Sequence, residues 1–329
     1  MPLETSDDIS PCPWFLDSFF SKIDIYLQGR HITSSDDYRF ISASIFKKLF
    51  FDENALGFLE TELGSLERDP GDFSSSNADR EKRKRLFQKD PSTNQAPQRF
   101  LLGLLTTEVS NLKEPIPNDI ELVIKVFRTS TKQLLDFNGT AEPEDEYSIR
   151  IHSLNLLLRR PLLSEAIIEK HASLLAHRNI RYYWMKKEMA WTHIPIAHST
   201  YTTTPLFANT SSLPSKLLIA FIDMDTLAGN YRKSFQKLRR PDYLKEIHLV
   251  LDNKRLATFG VPEIRDFSSG SEYFHFLEFY MTCQSYYKPN GINITFDQWK
   301  ESLHCYFWDL SAAGKYQTCS TPNSKACTI

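Results

Sequence analysis

The chain has 329 residues and a mass of 38.2 kDa, and its 39 Lys+Arg against 41 Asp+Glu leave a net charge of −2, so bulk charge cannot carry it onto a polyanion. Hydrophobic residues at 41% and charged residues at 24% belong to a folded globular protein and exclude wholesale disorder. The 11 glycines are about half the usual share of roughly 7%, which argues against phosphate-cradling loops and Gly-rich linkers.

Five cysteines (Cys12, Cys283, Cys305, Cys319, Cys327) form an odd set with no C-x-x-C spacing. A disulfide framework is not expected, and a reducing compartment is the simpler reading. The opening MPLETSDDISPCPWF lacks a basic start followed by an apolar run, so no signal peptide is expected. No apolar stretch is long enough to span a membrane. Asn138, Asn209 and Asn293 stand in glycosylation-type triplets, which read as chance without a secretion signal.

In chain order, Ile23, Ile25 and Leu27 alternate with Lys22, Asp24 and Tyr26, and Gln28-Gly29-Arg30 follows as a turn. That pattern predicts a half-buried strand entering a hairpin. Residues 64–98 are polar, with a basic cluster over Arg80–Arg85. They read as a long surface excursion. Lys82-Arg83-Lys84-Arg85 fits an import signal or a polyanion contact, but the favoured reading is a solvated helix face, exposed and dispensable for folding. Ile120, Leu122, Ile124 and Val126 alternate with Glu121, Val123, Lys125 and Phe127. Both faces are fairly apolar, as in an interior sandwich strand.

Tyr147–Leu158 predicts a strand with a bulge near Ser153, where the apolar phase slips. Ser164 can cap a helix over Glu165–Leu175. Tyr183, Met185, Met189 and Trp191 share one face of a further strand, and Leu217–Ile222 is a short apolar one. Ile247, Leu249 and Leu251 alternate up to a turn at Asp252-Asn253. Ser271 can cap a helix with Tyr273, Phe276, Leu277 and Tyr280 on one side, and Thr295-Phe-Asp-Gln298 has capping-box spacing. Leu303, Cys305 and Phe307 make a last strand ending near Asp309, and the tail after Gly314 is polar and loose. Many short strands with few helices predict an all-β sandwich class.

Little in the chain reads as chemistry. No G-x-S-x-G, Walker-type loop or H-E-x-x-H occurs. His171 and His177 are six apart, a poor match to one helix face, and His193 and His198 could meet only across a turn; surface histidines are the plainer reading of both pairs. Asp223 and Asp225 share a face at a strand end and could bind a cation or do acid–base work, but capping of a loop start is commoner. His304 and Cys305 are adjacent on a strand and point to opposite faces, which is wrong for a Cys–His nucleophile pair. No residue is assigned a catalytic, cofactor-binding or metal-ligating role, and the chain is read as not an enzyme.

The order of blocks resembles the double jelly-roll major capsid proteins of Polinton (Maverick) elements and their uncharacterised animal relatives. Ser18–Arg30 (SFFSKIDIYLQGR) resembles a helix end leading into a strand and a Gly turn. Asn118–Thr129 resembles the strand after the long excursion, and Tyr147–Arg160 the strand that closes the first roll. Pro161–His177 resembles the linker helix, and Tyr183–Pro195 the opening strand of the second roll. Leu213–Tyr231 (LPSKLLIAFIDMDTLAGNY) is the most specific block, and Lys245–Asp252 and Tyr306–Leu310 resemble later strands.

The resemblance implies an all-β double jelly roll with short connecting helices. The first roll spans 1–160 and the second, with its linker helix, 161–314, leaving 315–329 as the tail. The family carries further strands before the block that begins here at Ser18, so the first roll is read as N-terminally truncated. Ile23, Ile25 and Leu27, or Ile120 to Val126, would then form an exposed edge. The implied function is a structural capsid protein of a transposable element, acting by self-assembly as a homotrimer within a virion-like particle, or otherwise located in the cytoplasm or nucleus. A minor capsid (penton) protein is the implied further partner; no cofactor, membrane or sequence-specific nucleic acid is expected. The alternatives are a jelly-roll binding module for carbohydrate or protein, and a domesticated, non-assembling remnant.

Overall fold

The computed structural model describes residues 8–32, 38–50, 74, 76–87, 101–103, 105, 107, 116, 120–138, 147, 149–158, 162–177, 189–194, 205–206, 214–230, 232–235, 237–242, 244, 247, 249–251, 254–255, 272–287, 292, 294–310 and 327–328. Strand β1 (Ile9–Pro11) is followed by the short helix α1 (Phe15–Ser18), then β2 (Phe20–Leu27) and β3 (Arg30–His31). Gln28 and Gly29 between them have φ of 49° and 71°. Positive φ at both central residues is the two-residue hairpin turn that matches strand twist, so the predicted hairpin forms for a local reason. Helices α2 (Arg39–Phe50) and α3 (Ala78–Phe87) precede β4 (Leu122–Arg128), α4 (Thr131–Leu134) and β5 (Leu135–Phe137).

The remaining elements are α5 (Glu165–His177), β6 (Pro205–Leu206), β7 (Lys216–Ala220), α6 (Met224–Ala228), β8 (Val250–Leu251), β9 (Lys254–Arg255), α7 (Glu272–Tyr287), α8 (Phe296–Ser302), β10 (Cys305–Asp309) and β11 (Cys327–Thr328). Every pairing between the described strands is antiparallel, and an isolated bridge between Leu238 and Leu303 is parallel. The sheets run β3-β2-β4, β1-β5, β10-β7 and β6-β11-β8-β9. Antiparallel sheets are as expected, but helices take a larger share than an all-β reading allows.

Strand β2 lies between β3 and β4, with Ile23 opposite Val126 and Ile25 opposite Ile124. Ile23 and Ile25 are buried, so of the two alternative edges expected, the one over Ile120 to Val126 fits: β4 ends the described sheet, with Val126 and Phe127 exposed. Among the described residues β4 is thus an edge and not the interior sandwich strand that its two apolar faces predicted. Ahead of Ser18 the described residues include the short strand β1, which pairs with β5. Strand β7 pairs with β10 as Leu217 opposite Trp308 through Ala220 opposite Cys305.

The main core is aromatic. Phe15, Phe19, Phe40 and Ile41 meet Phe235, Leu238, Phe276, Phe279, Trp299 and Phe307 in one cluster. Phe40 stands edge-on to Phe235 with ring centroids 4.7 Å apart, the arrangement that ring quadrupoles favour. Side chains from either side of residue 160 thus pack into the same cluster. The capping box at Thr295 forms as predicted: Gln298 N donates to Thr295 Oγ1 at 3.2 Å, and Thr295 N donates to Gln298 Oε1 at 3.0 Å. Helix α7 turns only part of the predicted face inward, through buried Phe276 and half-buried Tyr280. His275, Phe276, Glu278, Phe279 and Cys283 are buried, whereas Tyr273 and Leu277 are exposed.

Candidate self-association surface

Residues 149–158 carry the alternation of a strand yet form none. A strand needs a neighbour to take its backbone hydrogen bonds, and none of the sheets takes in residues 149–158. Ile151, Leu154, Leu156, Leu157 and Leu158 are exposed, Leu157 at 74%. The predicted strand is corrected to an exposed apolar run. Beyond it Leu162 is 101% exposed, and α5 follows with no buried residue. The helix begins directly after Ser164, whose carbonyl accepts from Ile167 N at 3.0 Å and Ile168 N at 3.1 Å. Its apolar side chains Ile167, Ile168, Leu174 and Leu175 are all exposed. Exposed apolar side chains in this number make the two stretches the candidate interaction surface.

The edge of β4 is treated differently. Lys22 Nζ lies 5.4 Å from the Phe127 ring centre, Lys125 Nζ 4.7 Å from that of Tyr26, and the Arg128 guanidinium 5.3 Å from that of Phe19. Of these cations Lys125 and Arg128 lie on β4 itself, and cations along an edge strand oppose pairing with another chain. Among the described residues, exposed apolar side chains gather most densely in 151–158 and 162–177.

The basic cluster over Arg80–Arg85 is not the solvated face that the sequence predicted. Arg80 is 0% exposed and Arg83 1%, while Lys82 and Arg85 do face water. Asn77 caps α3, its Oδ1 accepting from Asp79 N at 3.1 Å and Arg80 N at 3.2 Å. The i, i+3 spacing then points Arg80 and Arg83 at β1 and β5. Arg80 Nη2 donates to Asp8 O at 2.7 Å and pairs with Asp8 Oδ1 at 2.9 Å. Arg83 Nε donates to Pro11 O at 2.9 Å, and its Nη2 lies 3.6 Å from Asp136 Oδ2. Burial pushes the Asp136 carboxyl up to about 6, against the opposing pull of Arg83 and then Arg80.

A second buried charge was equally hidden in the sequence. Lys47 pairs with Asp17 and lies over the Trp14 ring at 5.0 Å. Burial lowers the Lys47 ammonium to about 8.

Asp223 and Asp225 do come together, but around a lysine. Lys233 Nζ lies 2.9 Å from Asp225 Oδ2 and 3.4 Å from Asp223 Oδ2. The hydrogen bond that Lys233 donates to Asp225, then the Asp223 charge, raises the Lys233 pKa. Asp223 is the N-cap residue of α6 without a side-chain cap bond, so the pair does not cap backbone amides as expected. Gly229 ends α6 at φ 89°, and a Cβ there would meet Lys132 Cβ at 3.0 Å. The glycine of the most specific sequence block is thus fixed both by backbone and by contact.

His304 is fully buried, its ring 4.1 Å from that of Trp299 and its Nε2 3.0 Å from Tyr306 Oη. Burial, then the nearby Arg240 charge, pushes its imidazole down to about 4. Burial pushes the Cys283 thiol up to about 12 and the Cys305 thiol well above its ordinary value, so neither is a ready nucleophile. His171, His177 and His193 are exposed, and His198 lies outside the described residues. Among the described residues no group of three or more His, Cys, Asp or Glu could hold a metal ion. No described helix is long and apolar enough to cross a membrane. No protein-family model, curated protein or solved structure matches the chain.

Proposed function

We propose that the chain is a structural, capsid-like protein that acts by self-association, built as a double jelly roll of the Polinton capsid kind and located in a virion-like particle. The observation that carries the reading is the exposed apolar run of 151–158 and α5. Hiding the exposed half of each of its large apolar side chains is worth about 1 kcal/mol. Several such side chains reach the range of about 4–15 kcal/mol that association costs in lost freedom. The strand-like pattern of 149–158 supports the same reading, because a neighbouring subunit can supply a strand partner to a segment that lies in none of the described sheets. The ordered sequence blocks support the fold. A net charge of −2 suits dense packing without strong self-repulsion.

Light scattering on the eluting full chain tests the proposal. A mass of three chains or more is expected, and a single-chain mass at all concentrations would overturn it. One observation favours a second reading, a module that binds another protein. Phe274, Leu277 and Met281 are exposed on α7 at i, i+3 and i+7, an apolar stripe outside the core. A monomer that captures a partner through this stripe would favour that reading.

A further inference from the structure

Helix α5 carries a pattern that reads the same from either end. At about 100° per residue, Ile167, Ile168, His171, Leu174 and Leu175 form one stripe with His171 on its midline. From His171, apolar side chains stand at −4, −3, +3 and +4. All five residues are exposed. A stripe with this symmetry is complementary to itself under a two-fold axis. An antiparallel copy sets Ile167 against Leu175 and Ile168 against Leu174, each contact occurring twice. A partner of different sequence would impose no such symmetry.

The helix ends agree with this arrangement. Glu165 stands in the first turn and His177 in the last. Antiparallel pairing brings the acidic start of each helix level with the histidine-bearing end of its copy, with the helix dipoles opposed. His177 Nδ1 lies 3.0 Å from Ser173 O, so this ring is held on its own helix, away from the stripe.

We propose that α5 pairs antiparallel with α5 of a second copy of this chain, about a two-fold axis at His171. The pairing rests on the self-association reading above and adds the geometry of one contact. It does not compete with a trimer. A cyclic trimer closes its own interfaces, and a two-fold contact between trimers is what extends them into a shell.

The test uses oxidative crosslinking of the full chain, with the parent as background for its own cysteines. The axis brings the introduced thiols of His171→Cys together. It leaves those of Glu165→Cys about 18 Å apart along the helices at 1.5 Å per residue, too far for a disulfide. The expected result is a crosslinked dimer for His171→Cys, none above background for Glu165→Cys, and loss of the dimer when Ile168→Asp is added to His171→Cys. If His171→Cys fails to fold, mixing Ile167→Cys chains with Leu175→Cys chains reports the same register. Equal crosslinking at both positions, or none at His171→Cys, in a chain that still scatters as a trimer or larger overturns the pairing and leaves self-association standing. A parent that is a single chain removes both.

Discussion

At the scale of single residues, burial moves His304 and Asp136 away from their ordinary titration in opposite senses. The His304 imidazole falls from 6.5 to about 4. Between those values the unfolded chain takes up a proton that the folded chain refuses, so its contribution to stability is lost as pH falls through the window. The Asp136 carboxyl rises from 3.8 to about 6. Here the folded chain keeps a proton that the unfolded chain releases, so stability drops as pH rises from about 4 to about 6. The two trends offset each other in a bulk melt, and site-resolved titration by nuclear magnetic resonance separates them. The His304 ring signal is expected to hold still from neutral pH to about 5, while the Asp136 carboxyl signal moves near 6. A His304 signal moving with an ordinary midpoint would show that Trp299 and Tyr306 do not shield the ring.

At the scale of elements, α3 is a clamp on β1 and β5 rather than a solvated helix. Arg83→Ala removes the ion-pair partner of buried Asp136 and leaves only the weaker pull of Arg80, and loss of such a partner costs about 3 kcal/mol. Lys82→Ala removes a side chain that is 75% exposed, for which a change within about 0.5 kcal/mol is usual. Urea denaturation of the two variants checks the contrast, and equal small effects would mean that α3 is not docked. The distinction was not legible in the sequence. The partners of α3, Asp8 and Asp136, lie far from it along the chain, and a run of charges reads as exposed when its counter-charges are remote. What was legible was local: the turn at Gln28-Gly29, the capping box at Thr295, and the strand at Leu217. The strand pattern of Tyr147–Leu158 misled because alternation records what a segment can pair with, whereas a ladder needs the partner to be present. Helix α7 misled because aromatic spacing ranked Tyr273 and Leu277 ahead of His275 and Glu278, and a buried polar residue leaves no periodic apolar mark.

At the scale of the whole molecule, the aromatic core gathers Phe15, Phe40, Phe235 and Trp299, while 151–158 and α5 stay outside it. The apolar positions of α5 were legible from their spacing, but their exposure was not, because periodicity marks an apolar face without saying what covers it. On the present account a second chain covers it. The most direct test compares the solution mass of the parent with that of a variant carrying Leu157→Asp and Ile168→Asp. Both sites are exposed, so the fold and melting temperature should hold. The account predicts a parent of three chains or more by light scattering and a variant of lower mass with an unchanged circular dichroism spectrum. A parent that remains a single chain, or a variant whose mass equals that of an assembled parent, would contradict it.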